Sequence, residues 1–63
     1  MKNKLKDARV RKNMTQGELV KRSGVSRTVI SQLENGSRTV VTSETMLKLS
    51  KALNEPLEEI FLQ

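Results

Sequence analysis

The chain has 63 residues, no cysteine and no histidine, and 12 Lys and Arg residues stand against 7 Asp and Glu. A domain of this length buries only about 60% of the surface that its unfolded chain exposes, so we expect a single small domain over residues 1–63. The missing residue types exclude disulfide frameworks, thiol nucleophiles, imidazole bases and the usual zinc sites. We therefore expect no enzyme, metal or cofactor, and no small-molecule ligand is evident.

Positive charge is concentrated in the first part of the chain. Residues 1–38 carry a net charge of +7, whereas residues 39–63 carry −2. A basic half favours a polyanionic partner and a mildly acidic half favours packing or self-association. On charge alone, Lys-rich helices that merely keep a small protein soluble explain the pattern equally well. No apolar run has the length of a membrane span or a signal-peptide core, which predicts a soluble, cytoplasmic protein.

The first predicted helix covers residues 2–12, with Leu5, Ala8 and Arg9 on one face. Asn13 ends it in a left-handed cap. Alternating strand patterns are missing after it, apart from the brief segment 39–42, which is too short to form a strand alone.

Two further helices follow in close succession. Thr15 begins a Thr-Gln-Gly-Glu capping box that predicts a helix over residues 16–23. Gly24 then allows a positive φ, and Ser26 caps a helix over residues 27–35 that stops at the next glycine.

The last part of the chain predicts two more helices. Thr42 or Ser43 caps a fourth helix that ends near Leu53, and Pro56 opens a short fifth helix. The buried face of the fifth helix comprises Leu57, Ile60 and Phe61. The fold class is therefore all-α, a compact bundle of five helices.

Residues 15–35 have the form of a helix-turn-helix, two short capped helices joined by a tight glycine turn. In this arrangement the second helix enters the major groove of DNA. At 100° per residue, Ile30, Leu33 and Glu34 lie on one side of that helix. The opposite, outward side is polar, contains no acidic residue and comprises Arg27, Thr28, Ser31, Gln32 and Asn35.

Five segments of the chain carry a family resemblance: MTQGEL at 14–19, GVS at 24–26, ISQLENG at 30–36, LKLSKALN at 47–54 and LEEIF at 57–61. Their order and spacing resemble the phage-repressor-like helix-turn-helix family, of Xre or Cro type. The resemblance covers nearly the whole chain and implies a lambda-repressor-like DNA-binding domain. The chain departs from the family pattern at Val20, at Ser23 where an apolar residue is usual, at Gly17 inside a first helical turn, and in a longer loop after residue 36.

The resemblance also implies roles for individual residues. Arg27, Thr28 and Gln32 match base-reading positions, with Ser31 as a further candidate, and their chemistry suits guanine, thymine and adenine edges. The phosphate-contacting positions match Gln16, Asn35, Ser37 and Arg38. An ion pair between Arg9 and Glu34 is implied as well. The alternative for all of these residues is a merely solvated surface.

One such domain reads only a handful of base pairs, so we expect a homodimer on a palindromic double-stranded DNA operator, with recognition helices about 34 Å apart. Val40, Val41 and Leu62 are the candidate dimer residues. Transcriptional repression is the expected function. An antitoxin-like or adaptor protein of the same fold that acts through protein binding is the alternative. A non-specific nucleic-acid binder is a third possibility, although a single aromatic residue argues against stacking on single strands.

Overall fold

The computed structural model describes residues 3–38 and 40–61. Within these residues it contains five α-helices and no strand: Leu5–Arg11 (α1), Gln16–Ser23 (α2), Arg27–Asn35 (α3), Ser43–Leu53 (α4) and Leu57–Phe61 (α5). α2 packs against α3 and α4, α4 packs against α5, and α1 contacts α3 and α5. The Cα radius of gyration is 10.0 Å, close to the roughly 10.6 Å of a compact chain of this length. The predicted five-helix bundle is confirmed.

Local capping residues determine the bounds of α2 and α3, which both begin and end as predicted. The Thr15 hydroxyl accepts from the Glu18 backbone N–H at 3.1 Å, and the Glu18 carboxylate accepts from the Thr15 N–H at 3.3 Å. Ser26 caps α3 by accepting from the N–H three residues later. Between the helices Gly24 has a φ of +74°, a conformation that costs a residue with a Cβ about 1–2 kcal/mol. The caps and the turn that join these two helices therefore all come from residues close together in the sequence.

α1 begins three residues later than predicted and ends one residue earlier. The Lys4 backbone N–H donates to the Ile60 carbonyl at 2.8 Å, and the Asn3 side-chain amide donates to the Leu33 carbonyl at 3.0 Å. These long-range bonds hold the residues before α1 in an irregular conformation. The prediction was wrong here because the partners lie elsewhere in the chain. The left-handed conformation predicted for Asn13 is present, with a φ of +56°.

Ten of the residues that the structure describes form the buried core, and every helix contributes to it. Ser23 borders this core without leaving a polar atom unpaired: its hydroxyl donates to the Leu19 carbonyl at 2.6 Å and accepts from the Val25 N–H at 3.1 Å. This explains how a polar residue occupies a position that the family usually fills with an apolar one. The core comprises Leu5, Ala8, Leu19, Val25, Ile30, Leu33, Leu49, Leu53, Ile60 and Phe61.

Thr42, rather than Ser43, caps α4, and Asn54 ends it with a φ of +54°. Glu55 follows in the turn before α5, where its carboxylate lies 3.3 Å from Lys12 Nζ and accepts from Arg11 Nη1 at 3.2 Å. Hydrogen bonds from Lys12, then from Arg11, hold the pKa of Glu55 below its ordinary value. This turn thereby fastens α1 to the second half of the domain. None of the described helices has the length and apolar character that a bilayer crossing requires.

Candidate nucleic-acid interface

α3 presents a polar side to solvent because its apolar side is buried. Ile30 and Leu33 are fully enclosed in the core. On the other side Arg27 and Thr28 are exposed in the first turn, while Ser31 and Gln32 are half-buried along the helix. Asn35 is exposed at the end of α3, and Ser37 is exposed in the following loop.

The one acidic residue of α3, Glu34, is withdrawn from the outward side and paired with Arg9. Arg9 Nε donates to Glu34 Oε2 at 2.7 Å and Arg9 Nη2 donates to Glu34 Oε1 at 3.1 Å. Only 6% of the Glu34 side chain is exposed. Arg9 Nη1 also donates to the Met14 carbonyl at 2.8 Å. The hydrogen bonds to Glu34 raise the pKa of Arg9 above its ordinary value, and the predicted ion pair is confirmed.

Gln16 joins this ion pair instead of standing alone in solvent. Its Nε2 donates to Glu34 Oε1 at 3.0 Å, so one of its two amide hydrogens is engaged within the protein. Gln16, Ser31 and Asn35 are thereby brought together along a shallow cleft of about 190 Å³ that Lys6 and Glu34 also line. Lys6 is the cation that the sequence analysis missed at this cleft, since nothing in its position on α1 distinguished it from the neighbouring lysines. A phosphate contact of Gln16 stays a prediction.

The loop after α3 folds back onto the helix. The Asn35 side-chain oxygen accepts from the Ser37 N–H at 2.8 Å, and Gly36 turns the chain with a φ of +81°. The half-buried Arg38 then forms two bonds to Gln32: its N–H donates to the Gln32 carbonyl at 3.2 Å, and its Nε donates to Gln32 Oε1 at 3.1 Å. Gln32 and Arg38 were predicted as separate DNA contacts, and no pattern in the sequence indicated this link between them.

Gly17, a glycine in the first turn of α2, lies beside the side chain of Arg27. A Cβ at this position would lie 2.9 Å from Nη2 of Arg27, which is closer than two such atoms approach. The missing side chain therefore leaves room for the guanidinium of the first residue of α3. Because Arg27 is exposed and its guanidinium is the flexible end of the side chain, a Cβ at position 17 would shift the guanidinium rather than disrupt the backbone.

The predicted dimer residues differ in their surroundings. Val40 is 72% exposed, whereas Val41 is half-buried and packs against the core. Val41 was named as a dimer candidate because an apolar residue in this loop was expected to be exposed, and that expectation was wrong: the chain leading into α4 lies against the core at Val41. Leu62 lies outside the described residues. Their assignment to a dimer interface stays a prediction.

The helix-turn-helix family profile matches residues 5–60 of this chain. An uncharacterized HTH-type transcriptional regulator of Archaeoglobus fulgidus is 37% identical over 62 residues, which are 98% of this chain and 86% of the relative. An uncharacterized HTH-type transcriptional regulator of Methanocaldococcus jannaschii is 39% identical over 62 residues, covering 98% of this chain and 92% of the relative. Given also the capped pair α2 and α3, the chain belongs to the Xre-type helix-turn-helix family, as the sequence motifs predicted.

Proposed function

We propose that this protein is a transcriptional regulator that binds specific sequences in double-stranded DNA, with α3 in the major groove. The family supports DNA binding and transcriptional regulation, and both relatives described above are named transcriptional regulators. The sequence adds a net charge of +7 over residues 1–38, which favours association with a polyanion.

The observation that carries this proposal is the charge of the outward side of α3. The single acidic residue of the helix, Glu34, is enclosed and neutralised by Arg9. Arg27 and Thr28 are exposed on that helix, and Gln32 is half-buried beside them. Arg, Thr and Gln match the hydrogen-bonding groups and the thymine methyl that the major groove displays. A phosphate backbone therefore meets no negative charge on this side of α3.

We propose further that the regulator binds as a dimer to a palindromic operator and that it represses transcription. One domain reads only a handful of base pairs, which are too few to select a unique site. Two domains about 34 Å apart supply the missing specificity. The exposed Val40 supports this arrangement as an apolar contact in the loop between α3 and α4. Occupation of an operator within a promoter blocks access to that promoter.

Selection of bound sequences from random duplex DNA, at near-physiological salt, tests the proposal. We expect an enriched palindrome whose half-site spacing corresponds to one helical turn. A reporter promoter that contains the palindrome should then lose expression when the protein is present. Enrichment of no sequence, with binding that vanishes as salt rises, would contradict specific regulation and favour a role in protein binding.

Two variants that each remove one positive charge distinguish a contact with a base from general electrostatic attraction to DNA. Arg27→Ala removes a cation from the first turn of α3, and Lys51→Ala removes an exposed cation from α4. We expect Arg27→Ala to reduce the preference for the selected site over random DNA by about 5- to 150-fold. Lys51→Ala should leave this ratio unchanged. Equal ratios in the two variants would contradict a direct contact of Arg27 with a base.

A further inference from the structure

The contact between Arg38 and Gln32 fixes the orientation of a proposed base-reading side chain. Arg38 Nε lies 3.1 Å from Gln32 Oε1, and the backbone N–H of Arg38 lies 3.2 Å from the Gln32 carbonyl. Both residues are half-buried. The Asn35 side chain accepts from the Ser37 N–H at 2.8 Å and so orders the loop that carries Arg38. The side-chain contact therefore rests on an ordered backbone.

The chemistry of the two side chains decides which end of the Gln32 amide faces outward. An amide offers an acceptor oxygen and a donor nitrogen of nearly the same shape, whereas a guanidinium offers donors only. The oxygen must therefore face Arg38, and the Nε2 hydrogens point away from it. Base edges differ in their pattern of donors and acceptors, so an amide held in one orientation distinguishes edges that a freely rotating amide does not.

We infer that Arg38 is a specificity-determining positioning residue: through its Nε it holds Gln32 with the amide donor directed toward a base edge that presents an acceptor. This inference rests on the proposed function. Its consequence is that Arg38 contributes to sequence preference at the base pair read by Gln32, besides any attraction of its charge to phosphate. A role in phosphate attraction alone would change the affinity for all sequences alike.

Arg38→Lys is the informative variant, because it keeps the positive charge but replaces the rigid planar donor with a flexible ammonium. The dissociation constants of wild type and variant are measured for the selected operator, for each single-base-pair change within it, and for random duplex. We expect discrimination at one base-pair position to fall about fivefold in Arg38→Lys, while affinity for random duplex stays within about twofold. Gln32→Ala should lose discrimination at the same position, and adding Arg38→Lys to it should produce no further loss there.

Relaxation of the Gln32 side-chain ¹⁵NH₂ group in the protein without DNA provides a second readout. We expect its order parameter to fall in Arg38→Lys, with an unchanged unfolding midpoint. Discrimination that remains the same at every position, or a side-chain order parameter that does not fall, would overturn the positioning role and leave the proposed function intact. A wild-type chain that enriches no sequence would overturn the proposed function and this inference with it.

Discussion

Removal of the Glu34 carboxylate should destabilise the whole domain, because it leaves the Arg9 guanidinium without its main partner. Arg9 is 13% exposed and Glu34 is 6% exposed, so solvent compensates little for the lost contacts. In Glu34→Ala the guanidinium loses two of its three hydrogen bonds and keeps the one to the Met14 carbonyl. Breaking an enclosed pair by removing one partner costs about 3 kcal/mol or more. A domain of this length has a total stability of about 3–9 kcal/mol, so the substitution should remove at least about a third of the unfolding free energy.

Urea unfolding followed by far-ultraviolet circular dichroism measures this loss. The matched control is the double variant Arg9→Met/Glu34→Leu, which replaces the pair by apolar side chains of similar length. We expect the double variant to be more stable than either single variant, and close to wild type, because no charge is left unpaired. A cost below about 1 kcal/mol for Glu34→Ala would mean that the pair behaves as a surface ion pair. A double variant as unstable as the single ones would contradict the argument from unpaired charge.

Three further changes probe the backbone and the charges. Gly17→Ala should stabilise α2 by up to about 1 kcal/mol while displacing the Arg27 guanidinium, so a raised unfolding midpoint should accompany altered DNA preference; unaltered preference would contradict the packing of Arg27 over Gly17. Gly24→Ala should cost about 1 kcal/mol in unfolding free energy through its left-handed φ alone, since no atom beyond the adjacent residues lies within 4 Å of the added Cβ; a neutral variant would refute this conformational cost. The folded-state pKa of Glu55 is lowered, so its stabilising effect is present above the unfolded-state value of about 4.3 and is lost as pH falls through the lower folded-state value. The stability difference between wild type and Glu55→Gln should therefore shrink between neutral and acid pH, and a difference independent of pH would contradict that assignment.

Local chemistry explains why the central helices could be predicted from the sequence. α2 and α3 have their caps, turn and ends within a few residues of one another, at Thr15, Gly24 and Ser26. The start of α1 could not be predicted in the same way, because Asn3 and Lys4 bond to residues far along the chain.

In the candidate interface, too, some features could be predicted from the sequence and others could not. The exposed positions of Arg27 and Thr28 follow from helical periodicity, and the pairing of Arg9 with Glu34 was implied by the family resemblance. The link from Arg38 to Gln32 depends on the path of the loop, which no short-range pattern specifies. The roles of these residues toward DNA remain predictions.

The bond from the Lys4 N–H to the Ile60 carbonyl joins the two ends of the described chain. Lys4 follows directly on Asn3, whose amide is bonded to the carbonyl of Leu33 near the end of α3. Opening of α5 therefore removes the Ile60 carbonyl that accepts from Lys4. The residue next to Lys4, Asn3, is bonded to α3, the proposed recognition helix. Amide hydrogen exchange should detect α1 and α5 opening together, as one cooperative unit rather than as two independently fraying termini.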